Sequence, residues 1–194
     1  MEQLHDYSGD FRPGLKLQDL SKEALERLFH ATAKLYVGLD GLWHSLMRER
    51  FGEKMANELD SEIWKRATAL EVGRVREAMN IRGDDLVSFL KFLQVDPGAG
   101  GDVWPECEWQ LKDKDHAILT IKRCRGLDYY ERHGDMVALL HGCGIEEWGL
   151  QGAARLFNPK IRVTCLKLPP RQSKDDIACV WEFRLEEKLR IGSP

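Results

Sequence analysis

This 194-residue chain has no apolar run approaching the roughly 20 residues that a membrane-spanning helix needs. It has no surplus of positive charge: 29 Lys and Arg stand against 32 Asp and Glu, for a net charge of −3. Nothing in that balance favours nucleic acid or an anionic membrane surface as a partner. Phosphate-binding loops, nucleotide fingerprints and basic nucleic-acid motifs are missing. The paired Glu-x-x-His motifs of di-metal helical cores are absent, as is His-Glu-x-x-His. Five cysteines occur (Cys107, Cys124, Cys143, Cys165 and Cys179), none of them in a Cys-x-x-Cys pair. That removes the strong zinc and iron–sulfur signatures, and the odd count argues against a disulfide framework. The first residues, MEQLHDYSGDFRPG, read as neither a signal nor a transit peptide, so the expected location is cytoplasmic.

What the chain does have is periodicity. At 43% hydrophobic and 31% charged residues it is composed like an ordinary folded protein, and its length suits one domain. Ser21 is an N-cap with Glu23 behind it, and a helix is expected from there to Phe51, loosened where Gly38 and Gly41 bracket Asp40. Gly52 is the stop, a second helix runs from Glu53 to about Asn80, and a third from Leu86 to Leu93. The segment Asp96–Asp102 divides a helical half (1–95) from a half containing sheet (103–187). There the period drops to two over Trp104–Leu111, the run His116–Cys124 is more continuously apolar, helical patterns return over Leu127–His141 and Ile145–Phe157, and clean alternation follows over Lys160–Leu168 and Ile177–Glu186. The predicted class is α+β in the order α-α-α-β-β-α-α-β-β. Antiparallel N-terminal helices pack on a four-stranded antiparallel sheet made of two hairpins with a helical crossover.

Acids sit where a core wants apolar groups. Tyr36, Leu39, Trp43, Leu46 and Met47 form the stripe of the first helix, with Asp40 inside it and His44 four residues further on. Ala56, Leu59, Ile63, Ala67 and Leu70 form the stripe of the second, with Asp60, Trp64 and Glu71 at its edge. Asp40, Trp43, His44, Asp60, Trp64 and Glu71 are therefore the candidate lining of a ligand pocket between the helices and the sheet. A desolvated carboxylate such as Glu71, or the imidazole of His44, is suited to general acid–base work. The alternative is structural: Asp40 bonds a neighbour and Glu71 pairs with Arg74. Cys143 is the candidate nucleophile, because a helix beginning near Gly144 would lower its pKa. Cys124, Cys143 and His141 are the candidate zinc ligands, against the alternative that buried thiols act as small hydrophobes. Three readings follow: a small-molecule-binding protein, a hydrolase using Cys143 or a metal-bound water, or a homodimeric scaffold.

Several runs carry a resemblance: Asp40-Gly41-Leu42-Trp43, Arg50-Phe51-Gly52, Asp60-x-x-x-Trp64, Glu71-x-x-Arg74, Phe157-Asn158-Pro159-Lys160-Ile161, Cys165-Leu166-Lys167-Leu168-Pro169-Pro170-Arg171 and Cys179-x-Trp181-x-Phe183. With Cys124 and Cys143, these resemble a family of short cytosolic proteins of anaerobic, largely sulfate-reducing or syntrophic bacteria, related to the L-2-amino-thiazoline-4-carboxylate hydrolase-like proteins. The likeness covers about Tyr7 to Glu187 and implies hydrolysis of a C–S or C–N bond in a small, thiazoline-like amino-acid derivative. More distantly, the order of elements is similar to the 4-vinyl reductase and vesicle-tethering ligand-binding fold. That likeness implies a small hydrophobic or tetrapyrrole ligand, and a structural zinc on Cys124 and Cys143.

Overall fold

The computed structural model describes residues 3–99 and 103–186. Its elements are α1 (Lys22–Phe51), α2 (Glu53–Ala78), α3 (Leu86–Val95), β1 (Glu106–Asp113), β2 (His116–Arg123), α4 (Arg125–His133), α5 (Met136–Phe157), β3 (Ile161–Lys167) and β4 (Cys179–Leu185). The protein is α+β, in the order the periodicity predicts. The hydroxyl of Ser21 accepts from the Ala24 amide and starts α1. Gly52, at φ +83°, lets the chain reverse within one residue, so α1 and α2 form a hairpin. Asp85 caps α3 by accepting from the Ser88 amide at 2.7 Å.

The sheet has the order β1-β2-β4-β3, with every neighbour antiparallel. β2 and β4 lie at its centre, where Leu119 pairs with Trp181 and Ala117 with Phe183, all essentially without solvent contact. α3 and α5 cover this face. Phe89 packs against Phe157 and Phe183 with ring centroids 5.6 and 5.8 Å apart. Fully burying aromatic rings of this kind contributes about 2–3 kcal/mol each. β1 is an edge strand, so Cys107, although paired with buried Ile121, is exposed.

Two features depart from the periodicity. α1 runs unbroken through Gly38 and Gly41, and of the stripes assigned to α1 and α2 only Ala56 is fully buried. Leu39, Trp43 and Leu46 on α1, and Ile63 and Leu70 on α2, are exposed, Leu39 to 69%. The buried positions are Ala33 and His44 on α1, and Ala56, Asp60 and Val72 on α2. The polar faces turn inward because they border a cavity and not a close-packed core. The second departure is the position of a helix break. Gly134 takes a left-handed φ of +67° and ends α4, and Asp135 caps α5 by accepting from Ala138. The run His141–Gly144, expected between two helices, lies inside one continuous helix.

Candidate functional site

A cavity of about 1000 Å³ lies between the α1–α2 hairpin and the layer formed by α4, α5 and the sheet. α5 makes the room with small side chains. Ala138, Gly142, Gly149 and Ala153 line the cavity, and a Cβ added at Gly142 or Gly149 would meet nothing within 4 Å. Leu139, Leu150 and Trp181 supply apolar wall, and Leu35, Leu39 and Leu42 of α1 border the opening. The volume stands at the upper end of small-molecule sites.

Polar groups enter from α1 and α2 at helical spacing. Tyr36, Asp40 and His44 recur every four residues on α1, and Asn57, Asp60, Trp64 and Glu71 share one face of α2. The indole N–H of Trp64 donates to Asp40 Oδ1 at 3.1 Å, and Tyr36 packs edge-on against the indole. Burial, and then the nearby Asp60, push the Asp40 carboxyl up to about 6, against the opposing pull of Trp64 and His44.

The next layer is a histidine–carboxylate cluster. His44 is only 6% exposed and Asp60 5%. His44 Nε2 lies 2.7 Å from Asn57 Oδ1; a carbonyl oxygen only accepts, so in this hydrogen bond Nε2 donates. The His141 ring stacks on His44 with centroids 5.4 Å apart and planes 18° from parallel. Its Nε2 lies 2.9 Å from Asp60 Oδ2. The other oxygen of Asp60 is buried and has no hydrogen-bond partner. One ligand atom from each of His44, Asp60 and His141 falls within 4.8 Å of the other two.

A separate carboxyl cluster follows. Glu71 and Asp96 face one another beside the Tyr36 hydroxyl, and Gly98 packs against all three. Burial and the neighbouring Glu71 push Asp96 up to about 8. Glu71 is raised by burial, and Glu146 is pushed up to about 7, again chiefly by burial. At the rim, Arg48 donates to Asp135 at 2.5 Å, tying α1 to the start of α5.

Five of the six residues assigned to the pocket line this cavity: Asp40, His44, Asp60, Trp64 and Glu71. Trp43 does not. It is rotated off the cavity face of α1 and is 46% exposed. Cys124 and Cys143 also line the cavity, but they form no three-ligand set with His141. On a continuous helix, residues two apart point about 200° from one another, and His141 is turned toward Asp60. Cys143, in mid-helix, receives no lowering from a helix start; burial pushes its thiol up to about 12. The helix start expected near Gly144, on which a lowered thiol was argued, is thereby corrected. Asp96, Glu146 and Asn57 were missing from the expected site. Only Asn57 left a trace in the sequence, three residues before Asp60 on the same face of α2.

One comparison decides the family. The chain belongs to DUF6125, a family of unknown function. The match to DUF6125 spans residues 18–185, hence every helix and strand named above and all the cavity-lining groups. No curated protein and no solved structure matches the chain significantly. No helix among the described residues is long and apolar enough to cross a membrane.

Proposed function

We propose that this protein binds a small amphipathic organic molecule in the cavity between the helices and the sheet. Its apolar body would lie along α5 and the leucines of α1, and its amine or other hydrogen-bond-donating head at the carboxyl groups. One observation carries the reading: a cavity of about 1000 Å³ is held open by small residues on α5 while Asp40, Glu71, Asp96 and Glu146, all with raised pKa values, line it. Buried carboxyl groups held toward their neutral form gain from a cationic partner, which returns to the charged form the stabilisation that burial removed. The test is thermal unfolding with octylamine and with octanoate, on the wild type and on Gly149→Leu. The substitution fills open space at an ordinary helical position and improves helix propensity by up to about 1 kcal/mol, so the variant should fold. Octylamine should raise the melting temperature of the wild type alone. No shift with either ligand, or equal shifts in both proteins, would refute the pocket, and a response to octanoate alone would refute the preference for amines.

The second reading is a hydrolase acting on a small sulfur- or nitrogen-containing, thiazoline-like substrate. The cluster of His44, Asp60 and His141 beside Asp40 supports a metal-assisted route, and the strongly raised thiol of Cys143 weighs against a thiol-assisted one. Turnover of L-2-amino-thiazoline-4-carboxylate that survives chelation would remove the metal-assisted form.

A cytoplasmic homodimer is the assembly we favour. Leu25, Leu28, Leu35, Leu39, Leu42 and Leu46 follow the three-and-four spacing of a coiled-coil seam and are all exposed, so a second copy presents a matching row. Sedimentation at micromolar concentration should give a dimer, and Leu28→Glu a monomer; a monomeric wild type would rule this assembly out.

A further inference from the structure

Three side chains from three helices meet at one point of the cavity wall: His44 of α1, Asp60 of α2 and His141 of α5. Their mutual distances lie within 4.8 Å, and His141 Nε2 is already 2.9 Å from Asp60 Oδ2. Ligand atoms about 2.0–2.2 Å from a common ion stand roughly 3–3.5 Å apart, so rotamer adjustments of a fraction of an ångström to about 1 Å convert this arrangement into a coordination shell. A second observation is independent of that proximity. Asp60 is 95% buried, yet its Oδ1 has no hydrogen-bond partner. A carboxylate oxygen left bare in the interior costs about 1–3 kcal/mol or more; a cation is one partner that removes this cost, and the neighbouring Asp40 carboxyl in its protonated form is the other.

We propose that His44, Asp60 and His141 bind one divalent first-row transition-metal ion, with its remaining coordination positions open to the cavity. Two imidazoles and one carboxylate are a borderline donor set, which selects zinc, iron(II), cobalt(II) or manganese(II) over magnesium and calcium. Three protein ligands with free positions is the pattern of a reactive centre, whereas structural zinc sites are closed by a fourth protein ligand. Asn57 holds the His44 ring through Nε2, the role of the outer partner that orients a ligating imidazole. The site stands whether or not the cavity takes an amine, because all three ligands belong to the chain.

The experiment uses the full chain, stripped with chelator and exchanged into chelator-free reducing buffer. It is titrated with cobalt(II), followed by visible absorption, and with zinc(II), followed by calorimetry; magnesium(II) is the control. Expected are one ion per chain, no response to magnesium, and affinity lowered by about 100-fold or more in His141→Ala and in the near-isosteric Asp60→Asn. His30→Ala, away from the cavity, should bind like the wild type. Thermal unfolding of each metal-free variant shows whether it is folded, and the cobalt spectrum of the wild type is decisive even where a variant is not. Sub-stoichiometric binding, unchanged affinity in both cluster variants, or a sulfur-to-cobalt charge-transfer band placing the ion on Cys124 and Cys143 would overturn the proposal.

Discussion

Replacing Asp96 by Asn probes the carboxyl cluster through stability alone. Asp96 is buried at the end of α3 against Glu71, and burial first, then Glu71, lift its pKa from the ordinary 3.8 to about 8. Between those values the folded chain holds a proton that the unfolded chain has released. The stability of the wild type is therefore fully present below about pH 3.8, declines as pH rises, and this contribution is lost through about pH 8. Glu146, at about 7, and Glu71, raised in the same direction, steepen the decline. At neutral pH, about 3 pH units at about 1.36 kcal/mol each give a ceiling of about 4 kcal/mol for Asp96. The effective dielectric around buried groups in proteins is well above that of a dry interior, so about half of this is expected: Asp96→Asn should be about 2 kcal/mol more stable than the wild type near pH 7 and indistinguishable from it near pH 4. Urea unfolding followed by tryptophan fluorescence across this range measures the difference directly. Parallel stability curves, or an Asn variant that is less stable at alkaline pH, would refute the reasoning.

The side chain of half-buried Arg171 is 4% exposed and joins the loop before β4 to α4 through Glu131 at 2.7 Å and Asp128 at 2.9 Å. Arg171→Ala leaves both acids without this partner and should cost about 3 kcal/mol in denaturant unfolding. Gly52→Ala forces a side chain into the φ +83° turn and should cost about 1–3 kcal/mol without altering the far-ultraviolet circular dichroism. The Cys143 thiol, at about 12 against the ordinary 9.0, holds about 1000-fold less thiolate near neutral pH. Iodoacetamide should label it correspondingly slowly, and peptide mapping that finds Cys143 modified as fast as a free thiol would restore the nucleophile.

The sequence by itself determined the fold class, the order of nine elements and most of their limits. These rest on local signals: Ser21 as a cap, Gly52 as a stop, and alternation over β3 and β4. It also placed Asp40, His44, Asp60, Trp64 and Glu71 on shared helical faces, and these five line the cavity. Only the tertiary structure decided which helical faces turn inward. Both α1 and α2 carry an apolar row and a polar row, and local periodicity ranks the apolar row first. The choice belongs to what stands opposite, here an α5 stripped of bulk at Gly142 and Gly149, which leaves a cavity that polar groups can border. The break at Gly134 and not at Gly142 was equally undecided along the chain, because any of these glycines can end a helix or continue one, and the selection comes from where Asp135 caps α5 and docks on Arg48. The meeting of Asp60 with His141 spans 81 residues and depends on how α2 packs against α5. Spacing along one helix records which side chains share a face. Which faces converge is set by the packing of the other helices, and that is where this site is made.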